Sequence, residues 1–106
     1  MIKQNINIMN LGLAIKTIRE QKGLRQGVFA DHIGVTQSYL SGLENNNKKP
    51  SMEVFERISK FSNVPLPVMM WFSVEREDVA ENKKQIFDLL KPSVDSLIKE
   101  IFNSSI

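Results

Sequence analysis

Short polar side chains at Thr36, Gln37, Ser38 and Ser41 form the part of this chain best suited to recognising another molecule. They are interleaved with apolar residues at helical spacing, so they would share one face of a short helix while the apolar residues face inward. Amide and hydroxyl groups on a protruding helix can pair with base edges in a DNA major groove. This stretch therefore predicts a recognition helix for double-stranded DNA.

Composition argues against several other kinds of site. The 106 residues include no cysteine and one histidine, so disulfides, thiolate metal sites and histidine zinc sites are not expected. Asp31 and Glu44 would lie on different helices with no paired His or Lys, so we predict no catalytic residues and no enzyme activity. No metal and no cofactor are predicted.

Membrane and targeting segments are not indicated either. No apolar run approaches the roughly 20 residues of a membrane span. The first segment, MIKQNINIMN, is too polar for the core of a signal peptide. We therefore expect a cytoplasmic protein that does not contact a membrane.

The charge is distributed unevenly along the chain. Residues 1–74 carry nine Lys or Arg and five Asp or Glu, a net charge of +4. Residues 75–106 carry five basic and seven acidic residues, a net charge of −2. This arrangement suits a domain that binds a polyanion, followed by a segment that does not touch it.

Periodicity and capping residues predict five short helices in residues 10–73. Asn10, Thr36 and Ser51 can each cap a helix, whereas Arg25 gives the second helix a weak start. Glycine can end a helix because it takes the left-handed conformation without steric strain. The expected helices run from about 11 to 22, 26 to 33, 37 to 44 and 52 to 61, with a fifth that begins at Pro65–Pro67 and carries Phe72.

We divide the chain into three parts. Residues 1–9 form an N-terminal arm, residues 10–73 a compact five-helix domain, and residues 74–106 a C-terminal helical tail. The tail carries two apolar sets at helical spacing, on either side of Pro92, which kinks the helix or divides it in two. Because an amphipathic helix has to bury its apolar face, the tail either packs back on the domain or pairs with a second chain.

Residues 11–72 resemble the XRE-type helix-turn-helix family, the fold of Cro and the lambdoid phage repressors. The likeness rests on three linked segments, LGLAIKTIREQKGLRQ, FADHIGVTQSYLSGLEN and KKPSMEVFERISKFSNV. Ala30 takes the small-residue position of the family's two-helix unit, and Gly34 takes its turn glycine. The resemblance implies an all-α, five-helix lambda-repressor-like DNA-binding domain with a C-terminal helical extension.

The resemblance also implies which residues read the bases. Gln37 and Ser38 match the first exposed recognition positions, and Ser41 lies one turn beyond them on the same face. A glutamine can bind adenine N6 and N7 together, and each such pair discriminates between bases by about 1–3 kcal/mol. Gly42 falls where many relatives have a long polar side chain, so we expect a thin recognition surface.

Residues around that helix would hold the DNA backbone. Gln26 matches a phosphate-binding position, and its backbone N–H at a helix N-terminus favours an anion as well. Tyr39 either stacks on a sugar or supports the turn. The full set of expected phosphate contacts is Arg25, Gln26, Thr36, Tyr39, Asn45, Lys48 and Lys49.

Arg19 and Glu44 match an arginine–glutamate pair that the family often forms between its first helix and the end of its third. The resemblance therefore implies a structural salt bridge that fixes the angle of the recognition helix. Its net contribution to stability is expected to be small.

Two functions from different classes follow. The first is a sequence-specific transcriptional regulator, a repressor that binds a palindromic operator as a homodimer. The second is an antitoxin or phage-type accessory module whose main role is to bind a protein partner through the tail. The apolar tail and the thin surface at Gly42 favour the second function, whereas the polar third helix favours the first.

Overall fold

The computed structural model describes residues 9–101, which form six α-helices and two short 3-10 turns. No strand occurs among these residues, which confirms the predicted all-α class. Most of the predicted arm, residues 1–8, and the end of the tail lie outside the described residues. The helices are α1 (Leu11–Gln21), α2 (Gln26–Ile33), α3 (Gln37–Glu44), α4 (Met52–Ser62), α5 (Leu66–Phe72) and α6 (Lys84–Ile101).

Three of the helices begin at the predicted capping residues. The side chains of Asn10, Thr36 and Ser51 accept the backbone N–H of the residue three positions later, at 2.8, 3.0 and 3.3 Å. Each such bond pairs a first-turn N–H that has no partner within the helix, and typically contributes about 1 kcal/mol. Arg25 makes no side-chain cap at the start of α2, so the weak start predicted there is also present.

Residues with positive φ end the helices of the recognition unit. Gly34 has a φ of 72° and connects α2 to α3, a conformation that residues with a Cβ rarely adopt. Asn46 follows α3 with a φ of 61°, which asparagine tolerates better than most residues. These two turns set the direction in which α3 enters and leaves the domain.

The first five helices enclose one apolar core. Helix α1 packs against α3 and α5, and α2 packs against α3 and α4. The apolar side of each helix is removed from water, as the periodicity predicts. The fully buried apolar residues are Ala14, Ile15, Ile18, Phe29, Ala30, Ile33, Leu40, Leu43, Ile58, Val64, Met69 and Phe72.

The tail forms one long helix, because α6 continues through Pro92 without a break. Of the two predicted alternatives, one helix or two, the structure has one. Its Phe87 ring lies 6.4 Å from the Trp71 ring of α5, so this side of α6 packs back on the domain. The predicted division of the chain at residue 73 remains a prediction. No helix among residues 9–101 is long and apolar enough to cross a membrane.

A buried polar cluster fastens α6 to the domain. Asp95 is fully buried and accepts hydrogen bonds from the backbone N–H of Met9 at 2.8 Å and the indole N–H of Trp71 at 2.7 Å. The ammonium of Lys91 donates to the same carboxylate at 3.1 Å and lies 5.0 Å from the centre of the Trp71 ring. No local sequence pattern indicates this cluster, because Met9 and Trp71 are far from Asp95 along the chain.

The apolar residues of the tail are divided between two faces of α6. Phe87, Val94 and Ile98 are half-buried, and of these Phe87 packs near Trp71 and Ile98 packs against the core of the domain. The opposite face is exposed, with Leu89 74% accessible to solvent. The exposed apolar residues of α6 are Ile86, Leu89, Leu90, Leu97 and Ile101.

Candidate nucleic-acid interface

Helices α2 and α3 form a compact helix-turn-helix unit. At the turn, the N–H of Val35 donates to the carbonyl of Ala30 at 3.0 Å, and the N–H of Gly34 donates to that of Asp31 at 3.3 Å. Thr36 then begins α3 by capping it. Because the turn is this short, the start of α3 lies beside the end of α2. The predicted recognition helix is therefore held against α2 with its N-terminal end outward.

The polar face of α3 is open to solvent. Gln37 and Ser38 are exposed, and Ser41 is half-buried on the same side of the helix. Ser41 Oγ lies 3.5 Å from the amide nitrogen of Asn45, one turn further along. The side chain of Gln37 reaches towards the start of α2, since its Oε1 would be 3.6 Å from a Cβ placed on Gly27. Gln37, Ser38 and Ser41 thus form one strip of hydrogen-bond donors and acceptors along α3.

Beneath this strip, Arg19 and Glu44 form the predicted ion pair. Arg19 Nε lies 2.7 Å from Glu44 Oε2, and Nη2 donates to Oε1 at 3.1 Å. The two side chains are 12% and 3% exposed. Hydrogen bonding to Glu44 raises the pKa of the Arg19 guanidinium, so this group is charged at neutral pH. This two-point contact joins α1 to the end of α3 and fixes the direction of the helix.

The side chain of Gln26 takes part in the same cluster. Its Nε2 donates to Glu44 Oε1 at 3.0 Å, and the residue is half-buried. One N–H of this amide is engaged by the carboxylate and the second can still donate, so the phosphate contact expected of Gln26 remains a prediction. The backbone N–H of Gln26 lies in the uncapped first turn of α2, and the anion-binding role expected of it also remains a prediction.

Tyr39 and Lys49 are also engaged within the protein. The Tyr39 hydroxyl donates to the carbonyl of Lys49 at 3.3 Å, so of the two predicted alternatives this contact supports the turn. The Lys49 ammonium lies 3.5 Å from Glu75 Oε1, in a pair that is largely exposed and therefore weak. Both contacts compete with the phosphate roles predicted for these residues.

Arg25 and Thr36 directly precede α2 and α3, and their side chains differ in what they contact. Arg25 is exposed at the uncapped start of α2, where its charge can reach a phosphate. Thr36 Oγ1 accepts the N–H of Tyr39 and is thereby committed to capping α3, although its hydroxyl hydrogen can still donate. Their predicted phosphate contacts remain predictions.

The exit of α3 depends on two residues that sequence reasoning missed. Asn46 Oδ1 accepts the N–H of Gly12 at 3.0 Å, and its amide donates to Asn10 Oδ1 at 2.9 Å. A Cβ on Gly12 would lie 2.5 Å from the carbonyl oxygen of Glu44, so only glycine lets α1 approach α3 this closely. Two features of the sequence could have indicated this contact: Gly12 in the first turn of α1 and Asn46 just after α3.

Lys48 lies across the recognition helix at Gly42. A Cβ built on Gly42 would be 3.0 Å from Lys48 Cγ and 3.1 Å from Cδ, so the lysine stem fills the space above the glycine. Glycine within a helix destabilises it by roughly 1 kcal/mol relative to alanine. The surface that was predicted to be thin at Gly42 is therefore covered by a side chain from the following loop.

Comparison with protein families supports this geometry. A family model described as helix-turn-helix matches residues 15–68, which include α2 and α3 and most of the domain core. The chain belongs to the XRE-type helix-turn-helix family. Members of this family are DNA-binding regulators, and the exposed strip on α3 occupies the recognition helix of the family's fold.

Three curated relatives illustrate the likeness. The ImmF control region 10 kDa protein of Bacillus phage phi105 is 34% identical over 65 residues, which cover 61% of this chain and 72% of the relative. A putative HTH-type transcriptional regulatory protein of Methanocaldococcus jannaschii is 28% identical over 95 residues, covering 88% and 30% of the two chains. The regulator SinR of Bacillus subtilis is 33% identical over 61 residues, covering 57% and 55%.

The chain thus spans about half of SinR and under a third of the archaeal relative. No solved structure gave a significant match. The family assignment consequently rests on sequence comparison, and the structural description of the unit rests on the contacts given above.

Proposed function

We propose that this chain is a transcriptional repressor that binds a palindromic operator as a homodimer. The observation that carries the proposal is the polar strip of exposed Gln37 and Ser38 and half-buried Ser41, on a helix joined to α1 by a buried ion pair. A helix held this firmly can enter a major groove with its donors and acceptors already oriented. Repression requires only that the protein occupies the operator.

The relatives support a regulatory role. One is named as a phage control region protein, and two are named as transcriptional regulators. The match to the helix-turn-helix family model covers the recognition unit of this chain. We extend to this chain the role of regulating transcription, and we add the repressor activity as part of the proposal.

The exposed face of α6 supports the homodimer. Four of the five exposed apolar residues, Ile86, Leu90, Leu97 and Ile101, are spaced four, seven and four residues apart, so their pattern is the same from either end of the helix. A two-fold axis requires such a self-complementary surface, because each contact occurs twice. An antiparallel second copy would place Ile86 against Ile101 and Leu90 against Leu97.

A binding assay with short duplexes tests DNA recognition. We expect the protein to prefer some sequences strongly, and the double variant Gln37→Ala with Ser38→Ala to lose that preference while remaining folded. Gln85→Ala is the matched control, because Gln85 is an exposed glutamine on another helix. Equal affinity for every sequence, with no loss in the double variant, would contradict sequence-specific binding.

Sedimentation equilibrium tests the homodimer. The variant Leu90→Gln with Leu97→Gln should be monomeric at concentrations where the unchanged protein is dimeric. Met52→Gln is the control, since Met52 on α4 is 51% exposed and Leu90 is 50% exposed. Dimers that persist in the double variant would place the interface elsewhere.

The alternative function, an antitoxin or accessory module, uses the same face of α6. It is favoured by the size of this exposed apolar surface, which suits a protein partner as well as a second copy. A chain that is monomeric alone and forms a stoichiometric complex through α6 would favour this alternative. A variant truncated before α6 that kept every activity would exclude it.

A further inference from the structure

Two neighbouring lysines after α3 are held in different ways. The stem of Lys48 crosses Gly42, with Cγ and Cδ at 3.0 and 3.1 Å from the position of a Cβ on that glycine. Lys49 instead turns towards Glu75, with 3.5 Å between its ammonium and the carboxylate. Lys48 makes no ion pair within residues 9–101. The stem of Lys48 therefore lies on the recognition helix, and its ammonium is available to bind an anion.

The backbone explains why Lys48 takes this course. The carbonyl of Gly42 accepts two N–H groups, from Asn47 at 2.8 Å and from Lys48 at 3.1 Å. The positive φ of Asn46 turns the chain back towards the helix so that both bonds can form. The backbone of Lys48 is thus tied to Gly42, and the side chain leaves across the only residue of α3 without a Cβ.

We propose that Gly42 is a positioning residue for Lys48, whose ammonium binds a DNA phosphate beside the groove that α3 enters. The proposal rests on the proposed DNA-binding function and deepens it. Gly42 lies one helical turn from Ser38 and next to Ser41, so a charge lying across it borders the base-reading strip. A phosphate is the nearest anion that DNA offers at the edge of that strip.

A side chain at position 42 should separate stability from DNA binding. Any Cβ there requires the stem of Lys48 to move by a few tenths of an ångström or more. The stem is exposed and flexible, so the fold can accommodate the change, and alanine favours the helix more than glycine does. Gly42→Ala should therefore stabilise the protein while it displaces the charge.

Binding to a random-sequence duplex, measured at several salt concentrations, tests the proposal without knowledge of the operator. Gly42→Ala should lower the affinity about 3- to 10-fold and reduce the salt dependence by about one released counterion. Lys48→Met should do the same, Lys48→Arg should retain binding, and Lys49→Met should have a smaller effect.

In the Lys48→Met background, Gly42→Ala should cause no further loss of DNA affinity. Thermal unfolding should show a midpoint for Gly42→Ala that is unchanged or a few degrees higher.

Three results would overturn the proposal while leaving DNA recognition intact. Gly42→Ala could bind with unchanged affinity and salt dependence, although Gln37→Ala weakens sequence preference. It could weaken binding equally in the Lys48→Met background, which would assign its effect to a distortion of α3. Gly42→Ala could lower the midpoint of thermal unfolding, which would show that Gly42 is required for stability. Failure of the proposed function itself would differ, since the unchanged protein would then bind no duplex at any salt concentration.

Discussion

Helices α3 and α6 are fastened to the domain by the same kind of contact but present opposite surfaces. Glu44 at the end of α3 and Asp95 in α6 are both buried carboxylates paired with a basic side chain. Above its carboxylate, α3 exposes amide and hydroxyl groups, whereas α6 exposes isoleucine and leucine. The similar attachments hold each helix in place, and the exposed residues determine what each helix can bind.

The two ion pairs differ in what they connect. Arg19 and Glu44 belong to different helices, so their contact fixes the direction of α3 relative to α1. Lys91 and Asp95 belong to the same helix, and α6 is attached through the bonds that Asp95 accepts from Met9 and Trp71. Loss of the Arg19–Glu44 pair should therefore change the direction of α3, and loss of the Asp95 carboxylate should release α6.

The largest effect is expected for Asp95→Ala. This change leaves the Lys91 ammonium, the Met9 N–H and the Trp71 indole N–H buried without an acceptor, at a cost of about 3–5 kcal/mol in unfolding free energy. Trp71 is the only tryptophan in the chain, so its fluorescence reports the release of α6 directly. Urea unfolding measures the loss.

The control for this prediction is Asp88→Ala on the same helix. Asp88 pairs with Arg76 on the surface, where water screens both charges, so its removal should change stability little. Equal losses for Asp88→Ala and Asp95→Ala would contradict the idea that the buried cluster holds α6.

A slightly smaller loss is expected for Glu44→Ala, about 2–4 kcal/mol by urea unfolding. Arg19 and Gln26 would lose their acceptor, but the partial exposure of Arg19 lets water relieve some of the cost. The double variant Arg19→Met with Glu44→Leu should recover much of the stability, because it removes both charges. It should still bind DNA more weakly than the unchanged protein, since α3 is no longer fixed in direction. Full recovery of both properties would show that the pair does not position α3.

A change confined to specificity is expected for Gln37→Ala. The variant should lose about 1–3 kcal/mol of discrimination at one base pair of each half-site and keep its stability. Competition with duplexes substituted one base pair at a time measures this loss. A uniform loss against all sequences would instead assign Gln37 to the DNA backbone.

The smallest effect is expected for Arg25→Ser. Serine can cap α2, where Arg25 provides no side-chain bond, so stability should rise by about 0.5–1 kcal/mol. Affinity for DNA should fall at the same time, because a positive charge is lost from the start of α2. Urea unfolding measures the change in stability, and a salt titration of binding measures the change in DNA affinity. A rise in both stability and DNA affinity would exclude a phosphate contact by Arg25.

The same comparison explains how far the sequence could predict this protein. The face of α3, its cap at Thr36 and its turn at Gly34 follow from local spacing, and a family resemblance added the Arg19–Glu44 pair. The cluster at Asp95 could not be predicted, because its donors come from Met9 and Trp71, far away in the chain. The engagement of Gln26 with Glu44, and the path of Lys48 over Gly42, also depend on tertiary contacts that no local pattern encodes.

The central claim is that α3 recognises DNA and that α6 forms the dimer. Selection of bound sequences from random duplex DNA tests this claim most directly. We predict that the unchanged protein selects a palindrome, whose half-sites are spaced to suit a dimer. The variant Leu90→Gln with Leu97→Gln should select single half-sites, and the folded variant Gln37→Ala with Ser38→Ala should select neither. A common motif recovered by all three proteins, or no motif recovered by the unchanged protein, would contradict the account.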